Sequence, residues 1–317
     1  MKNLKIARVV TIPEAFVHFK PFLKLLKEKE AEVTLISSAS PYEHVLLNEL
    51  GLDVSVIEIS REISLIKDLK SLISLIKFFQ KNKFDIIHSS TPKAGLLCAI
   101  AGLFTFNSIR LHTFTGQRWA NLGGFLRLLL KFFDRLIIKL NTQCYADSHS
   151  QIEYLKKEGV AFGDQVRCLH KGSYGGIDCD RFNNERFPDA RAELLAELKL
   201  NADSIVILYV GQLTKDKGVE ELVQAFLVAR EQNQKLKLVL VGVYREGLDF
   251  LNIETLNEIK NNINIFSLGY KTQPEKYFSA ADIFCLPSHR EGFGTVVLEA
   301  AACSLATIGT RIPGLMD

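Results

Sequence analysis

Asp282-Ile-Phe-Cys-Leu-Pro-Ser-His-Arg-Glu291-Gly-Phe-Gly-Thr-Val-Val-Leu-Glu299-Ala-Ala is the stretch on which the reading of this chain turns. An apolar, β-rich run ends at Pro287, a glycine turn follows, and an apolar helix pattern begins near Gly294 or Thr295. Strand, glycine loop and helix in that order form one repeat of a parallel α/β sheet. Glu291 lies in the loop and Glu299 about one turn inside the helix, so both carboxylates can point to one end of the sheet. Backbone N–H groups at a helix start hold an anion, and carboxylates accept hydrogen bonds from hydroxyls. A nucleotide sugar has that polarity.

The same alternation runs outward along the chain. Strand-like runs recur at Ile6–Ile12, Glu32–Ser37, Asp85–Ser89, Arg110–Phe114, Gln143–Ala146 and Val166–Leu169. They return at Ile205–Val210, Lys237–Val241, Asn264–Ser267, Asp282–Leu286 and Ala306–Ile308. Helical patterns intervene, such as Ser64–Gln80 and Gly218–Glu231, the latter with Val219, Leu222, Val223 and Phe226 on one face. Alternating strands and helices predict parallel sheets covered on both faces. A length of 317 residues accommodates two such sheets. The expected fold class is α/β, with two Rossmann-like domains facing one another across a cleft. Glycines, polar residues and Pro188 cluster at 173–190, so this stretch is read as a linker between a domain at 1–172 and another at 191–317.

Composition narrows the function. Apolar residues at 47% and charged residues at 24% are ordinary globular values. A net charge of +3, with bases and acids interspersed, gives no reason to expect a nucleic-acid partner. Cys98, Cys144, Cys168, Cys179, Cys285 and Cys303 form no C-x-x-C pair and are expected to be buried free thiols in a reducing compartment. Met1 leads directly into a strand-like run, so a cytoplasmic location is expected. G-x-G-x-x-G after a strand, G-x-x-x-x-G-K-[ST] and H-E-x-x-H are all absent, and no His, Cys or Asp cluster has ligand spacing. No cofactor and no protein-held metal are therefore expected. In Phe125–Leu140, Arg127, Lys131, Arg135 and Lys139 recur every four residues on an otherwise apolar helix. Such a stripe predicts docking to the inner membrane surface, its cations at the head groups, against the alternative that the apolar face packs on a sheet.

The glutamate pair closely resembles the motif of retaining glycosyltransferases of family 4, whose two-domain fold is called GT-B. Tyr209-Val-Gly211-Gln-Leu-Thr-Lys-Asp-Lys217-Gly218, Ser267-Leu-Gly269-Tyr270 and Ala280-Ala-Asp282 fit that family's order. In the first half, Asp85-Ile-Ile-His88-Ser-Ser-Thr-Pro-Lys93, Arg110-Leu-His-Thr-Phe-Thr115-Gly116-Gln and Lys171-Gly-Ser-Tyr-Gly-Gly176-Ile-Asp178 look like members that build bacterial capsule or lipopolysaccharide. In the family, further strand and helix follow a segment like Gly309–Gly314, so the second domain is expected to be incomplete, the chain a truncated member or a fragment. The resemblance implies transfer of a sugar from a nucleoside-diphosphate sugar to a lipid-linked or polysaccharide acceptor, with retention of configuration. Two alternatives stand beside it: a nucleotide-sugar epimerase of the same architecture, and a truncated, catalytically weak homologue that only binds a partner.

Roles follow residue by residue. Lys217, after a parallel strand, is placed to stabilise charge growing on a departing diphosphate. Glu291 would contact the transferred sugar and Glu299 the ribose hydroxyls. Gly211 and the backbone of Phe293, Gly294 and Thr295 would line the donor, with Gly269 and Tyr270 at the base. The family pattern has an arginine where this chain has Gln212, and often a histidine where it has Thr115, before Gly116. On the acceptor side, Thr91 is expected to cap the helix opened by Pro92, with Lys93 in its first turn and His88 nearby, to hold the diphosphate of a lipid-linked sugar. His18, His44, His112, His149, His170 and His289 are read as structural.

Overall fold

The computed structural model describes residues 3–40, 51–52, 54–60, 63–173, 175–244 and 250–317. His44 lies outside them, as does the side chain of His18. The chain divides into two units, Met1–Gly176 with Met316–Asp317, and Ile177–Leu315.

The first unit carries strands β1 (Lys5–Val9), β2 (Glu32–Ser37), β3 (Val54–Val56), β4 (Ile86–Ser90), β5 (Ile109–Phe114), β6 (Gln143–Ala146) and β7 (Val166–Cys168). They form one parallel sheet in the order β3-β2-β1-β4-β5-β6-β7. Helices α1 (Lys20–Glu28), α2 (Leu65–Asn82), α3 (Pro92–Phe104), α4 (Gly124–Leu140) and α5 (His149–Lys157) connect them. The first strand-like run is cut at Val9, because Pro13–Phe19 turn into a 3-10 helix. Strand order reverses between β1 and β4, which are neighbours although β2 and β3 separate them in sequence.

The second unit repeats the plan. Strands β8 (Ile205–Val210), β9 (Leu236–Val241), β10 (Ile265–Ser267), β11 (Ile283–Leu286) and β12 (Ala306–Gly309) form a parallel sheet ordered β10-β9-β8-β11-β12. Helices α6 (Ala190–Glu197), α7 (Val219–Gln232), α8 (Ile253–Asn261), α9 (Pro274–Ala280) and α10 (Thr295–Ala302) accompany it. Central strands buried on both faces need continuous apolar runs, and Leu238–Val241 in β9 are buried without interruption. The face of α7 expected to be buried, Val219, Leu222, Val223 and Phe226, is the buried face. The division between units falls at Gly176/Ile177, within the stretch read as a linker, and from there on the chain is part of the second core. Phe182 is buried against Phe278, ring centroids 6.0 Å apart, with Ile177 and Phe187 packed on the same cluster.

Two expectations need correction. Cys98, Cys144 and Cys303 are buried, but Cys179 is exposed, set between Asp178 and Asp180 in a polar turn. The first half of the cationic stripe of α4 faces protein, whereas Arg135 and Lys139 are exposed. Arg127 and Lys131 both reach Glu158, at 2.8 and 3.0 Å, and lie over the Trp119 ring, while Arg135 Nε donates to the Gly159 carbonyl. The C-terminal half of α4 packs inward through Ile137 and Ile138, whereas Phe125, Leu128 and Phe132 in its first half are exposed. Among the described residues no helix is long and apolar enough to cross a membrane.

Candidate functional site

In an open parallel sheet, ligands bind beyond the carboxyl ends of the strands where strand order reverses. In the second unit that point lies between β8 and β11. Lys217 follows β8, Glu291 follows β11, and Lys217 Nζ stands 2.6 Å from Glu291 Oε1. Ser288 Oγ donates to the same oxygen at 2.7 Å. Gly218 makes the approach feasible. It sits at φ +70°, and a Cβ there would collide with the carbonyl of Pro287 at the end of β11. Two further contacts staple the loops together, an ion pair of Arg290 with Asp216 at 2.7 Å and a hydrogen bond between His289 Nε2 and Glu221 Oε1 at 2.8 Å, and His289 N donates to the Asp216 carbonyl. Sequence reasoning named Lys217 and Glu291 but not these neighbours. The signal was the crossed charge order of Asp216-Lys217 and Arg290-Glu291.

The glycine turn after β8 is equally fixed. Tyr209, fully buried, donates its hydroxyl to the Gln212 carbonyl at 2.7 Å, and burial, then the Glu291 carboxylate, pushes its phenol up. Gln212 itself is at the surface, as is Tyr270, while Gly269 accepts from Gly242 N at 2.9 Å. The helix α10 begins at Thr295, as expected, so Glu299 lies one turn inside it. Gly294 carries φ +67°, and a Cβ would collide with Leu315, so Phe293–Thr295 sit tightly under the segment that follows β12. Burial pushes the Glu299 carboxyl up to about 7; the Arg181 guanidinium opposes this and Glu275 adds to it. Arg181 is held by Glu275 and the Thr272 carbonyl, each at 3.0 Å, and Glu275 is itself buried. Arg181 was hidden in a stretch that reads as linker.

The reversal point of the first unit is built from hydroxyls. Thr11, after β1, and Thr91, after β4, place their Oγ1 atoms 2.7 Å apart, and Thr11 N donates to Thr91 Oγ1. This corrects the expected cap. Thr91 sits at φ +82° and gives its side chain to Thr11, although Pro92 does open α3. Lys93 is an ion-pair partner of Asp68 at 2.7 Å rather than a spare ammonium. His88 is interior: its Nε2 is 2.8 Å from Thr113 Oγ1, Arg8 donates to its carbonyl, and burial, then Arg8 and His112, lowers its pKa. His112 is likewise buried against Ser89 and lowered to about 3 by burial and then Arg8.

The turn after β5 is gripped from two sides. Gln151, oriented to satisfy both partners, donates to the Phe114 carbonyl and accepts from Gly116 N, each at 2.8 Å, leaving Thr115 between them. Trp119 Nε1 donates to Asp134 Oδ2 at 2.7 Å, and the indole stacks on Tyr154. Burial pushes Asp134 up to about 7 against the lowering effect of that hydrogen bond. Neither Asp134 nor Gln151 carries a motif that sequence reading would flag.

Residues 190–317 match the family described as Glycosyl transferases group 1, and residues 6–123 match Glycosyl transferase 4-like. Over its full length the chain is 31% identical to the capsular polysaccharide biosynthesis glycosyltransferase CapM of Staphylococcus aureus, spanning 81% of that protein. The chain belongs to this glycosyltransferase family. A second relative, the UDP-Gal:alpha-D-GlcNAc-diphosphoundecaprenol alpha-1,3-galactosyltransferase of Escherichia coli, is 27% identical over 92% of the chain and 74% of its own length. The glycosyltransferase shares its fold with Anabaena HepE in complex with UDP and glucose, at TM-score 0.78 and 17% identity over 99% of this chain and 82% of that one. As a glycosyltransferase it is a transferase enzyme, which removes the epimerase alternative. Its Lys217 ammonium after β8 and Glu291 carboxylate after β11 meet at the carboxyl ends of two neighbouring strands of one sheet.

Proposed function

We propose that this glycosyltransferase moves a sugar from a nucleoside-diphosphate sugar to a lipid-linked diphosphate acceptor in capsule or O-antigen assembly, with retention of configuration and without a protein-held metal. The observation that carries the reading is Lys217 against Glu291 at the reversal point of the second sheet. As the bond from the anomeric carbon to the diphosphate breaks, charge grows on the leaving oxygen, and a fixed ammonium favours that state over the ground state. The departing phosphate oxygen takes the proton of the acceptor hydroxyl, and the new glycosidic bond forms on the face the phosphate leaves. Glu291, its Oε1 already shared by Lys217 and Ser288, accepts from a hydroxyl of the transferred sugar. Glu299, on α10, accepts from the ribose pair. The names of the relatives support the donor and acceptor classes: the Escherichia coli enzyme is named for UDP-Gal and a diphosphoundecaprenol-linked sugar.

Calorimetry of the full chain with UDP-sugars, with and without a chelator, tests donor class and metal together. Binding is expected to be unchanged by the chelator; strict dependence on a divalent cation, or no binding of any nucleoside diphosphate, would overturn the reading. Gln212 sits on a turn whose carbonyl is pinned by Tyr209, so a longer cation there starts from a fixed base. Gln212→Arg is expected to tighten nucleoside-diphosphate binding by about 1–3 kcal/mol through a charge-assisted contact. Unchanged affinity would mean that this side chain points away from the phosphates.

A further inference from the structure

Gln117, two residues past Thr115 in the loop from β5 to α4, is buried with 4% of its surface exposed. Among the described residues, its Nε2 is one of the buried side-chain atoms with no hydrogen-bond partner. An amide nitrogen gives up its hydrogen bonds to water when it is buried, and folded proteins pair nearly all such groups. An unpaired one calls for a physical account.

Slack in the loop does not supply it, because the chain is fixed on both sides of Gln117. Upstream, Gln151 holds the Phe114 carbonyl and Gly116 N, each at 2.8 Å. Downstream, Ala120 N closes a turn on the Gln117 carbonyl at 3.1 Å, and Trp119 is buried on Asp134 and Tyr154. Arg127 Nη1 then donates to the carbonyls of Trp119 and Ala120 at 3.0 and 2.9 Å. The backbone cannot swing the amide toward another partner without breaking these bonds. The donor is held ready at a cost to the free protein, as groups that await a ligand are.

Place and chemistry say what kind of ligand it awaits. The loop stands at the carboxyl end of β5, whose neighbour β4 carries Thr91 at the reversal point of the first sheet. Ligands of open parallel sheets collect at that end. An amide nitrogen is an uncharged donor and suits a neutral oxygen, a hydroxyl or an acetamido carbonyl, whereas phosphate favours charged donors. Thr11 and Thr91 nearby are also uncharged, and the Lys93 ammonium is matched by Asp68. A desolvated donor of this kind rejects a sugar that lacks the matching oxygen.

We infer that Gln117 is a specificity residue for the transfer reaction, its Nε2 donating to a neutral oxygen of a sugar bound at the carboxyl end of the first sheet. The inference rests on the transfer reading above. Two sugars can supply that oxygen, the one transferred and the one that receives it, and the experiment separates them. Wild type and Gln117→Met, both as the full chain, are titrated calorimetrically with UDP, UDP-galactose and UDP-N-acetylglucosamine, and transfer to a panel of prenyl-diphosphate-linked sugars is timed. Gln117→Met is expected to keep or raise the melting temperature, because the buried donor it removes has no partner to lose. It should lower kcat/KM about ten- to hundredfold. Weaker binding of a UDP-sugar with UDP binding unchanged assigns the oxygen to the transferred sugar. A raised KM for the acceptor with donor binding unchanged assigns it to the receiving sugar. Gln117→Leu repeats the test if the methionine variant does not fold. Unchanged kcat/KM overturns the inference, and so does a lowered melting temperature with a loss that falls equally on UDP, the mark of an amide that serves the fold. Wild type that binds no UDP-sugar, or transfers to none of the acceptors, defeats the transfer reading and the inference with it, a failure visible before any variant is made.

Discussion

Lys217→Met is expected to lower kcat/KM by about 10²–10³-fold, most of it in kcat, the scale on which removal of one preorganised transition-state contact acts. Methionine keeps most of the lysine stem, so packing at the β8–α7 turn is preserved while the ammonium is lost. Glu291 retains Ser288 as a donor, and the Arg290–Asp216 and His289–Glu221 pairs still hold the two loops. A loss confined to KM would mean that Lys217 only binds ground-state phosphate. A change under about threefold would show that it holds Glu291 in place and does nothing more. Lys217→Arg separates these further: it restores the ion pair to Glu291, so recovery of stability without recovery of kcat marks the ammonium position as the catalytic requirement.

Local features of this site were readable from the chain because they are written in short range. The glycine at 218, the helix start at Thr295 and the buried face of α7 follow from spacing within one element. Pairings across the sheet were not. Thr11 meets Thr91 only because β1 and β4 are neighbours, eighty positions apart, and Arg181 meets Glu275 only because the segment after Gly176 folds onto α9. The strand at Val54–Val56 is too short to show a period. The four-residue repeat of cations on α4 showed that a stripe exists but not which way it faces; Glu158, far off in sequence, and the Trp119 ring turn Arg127 and Lys131 inward. Lys93 followed the same logic, since nothing near it announced Asp68.

The largest effect on stability is expected at Asp134. Its carboxyl is buried and pushed up to about 7, whereas in the unfolded chain it titrates near 3.9. Below pH ~4 it is protonated in both states and imposes no cost. As pH rises from about 4 to about 7, the unfolded chain releases this proton and the folded chain keeps it, so stability falls; above 7 the full cost of about 4 kcal/mol is in place. Asparagine has no proton to lose, and its Oδ1 can still accept from Trp119 Nε1. The stability of Asp134→Asn relative to wild type is therefore expected to climb by about 4 kcal/mol between pH 4 and pH 8. His88 and His112, both lowered by burial, tilt stability the opposite way below about pH 6.5, but they are common to both proteins and cancel in the difference. The ion pairs of Glu158 with Arg127 and Lys131 beside the indole cancel likewise. Trp119 is the single tryptophan of the chain, so its fluorescence reports both the unfolding transition and the ionisation of its partner. A difference that does not vary with pH would show that Asp134 is ionised in the folded chain. Because the Trp119 anchor follows directly on the Thr115–Gly116 turn, the same substitution also reports whether that turn depends on the carboxyl's proton or only on its shape.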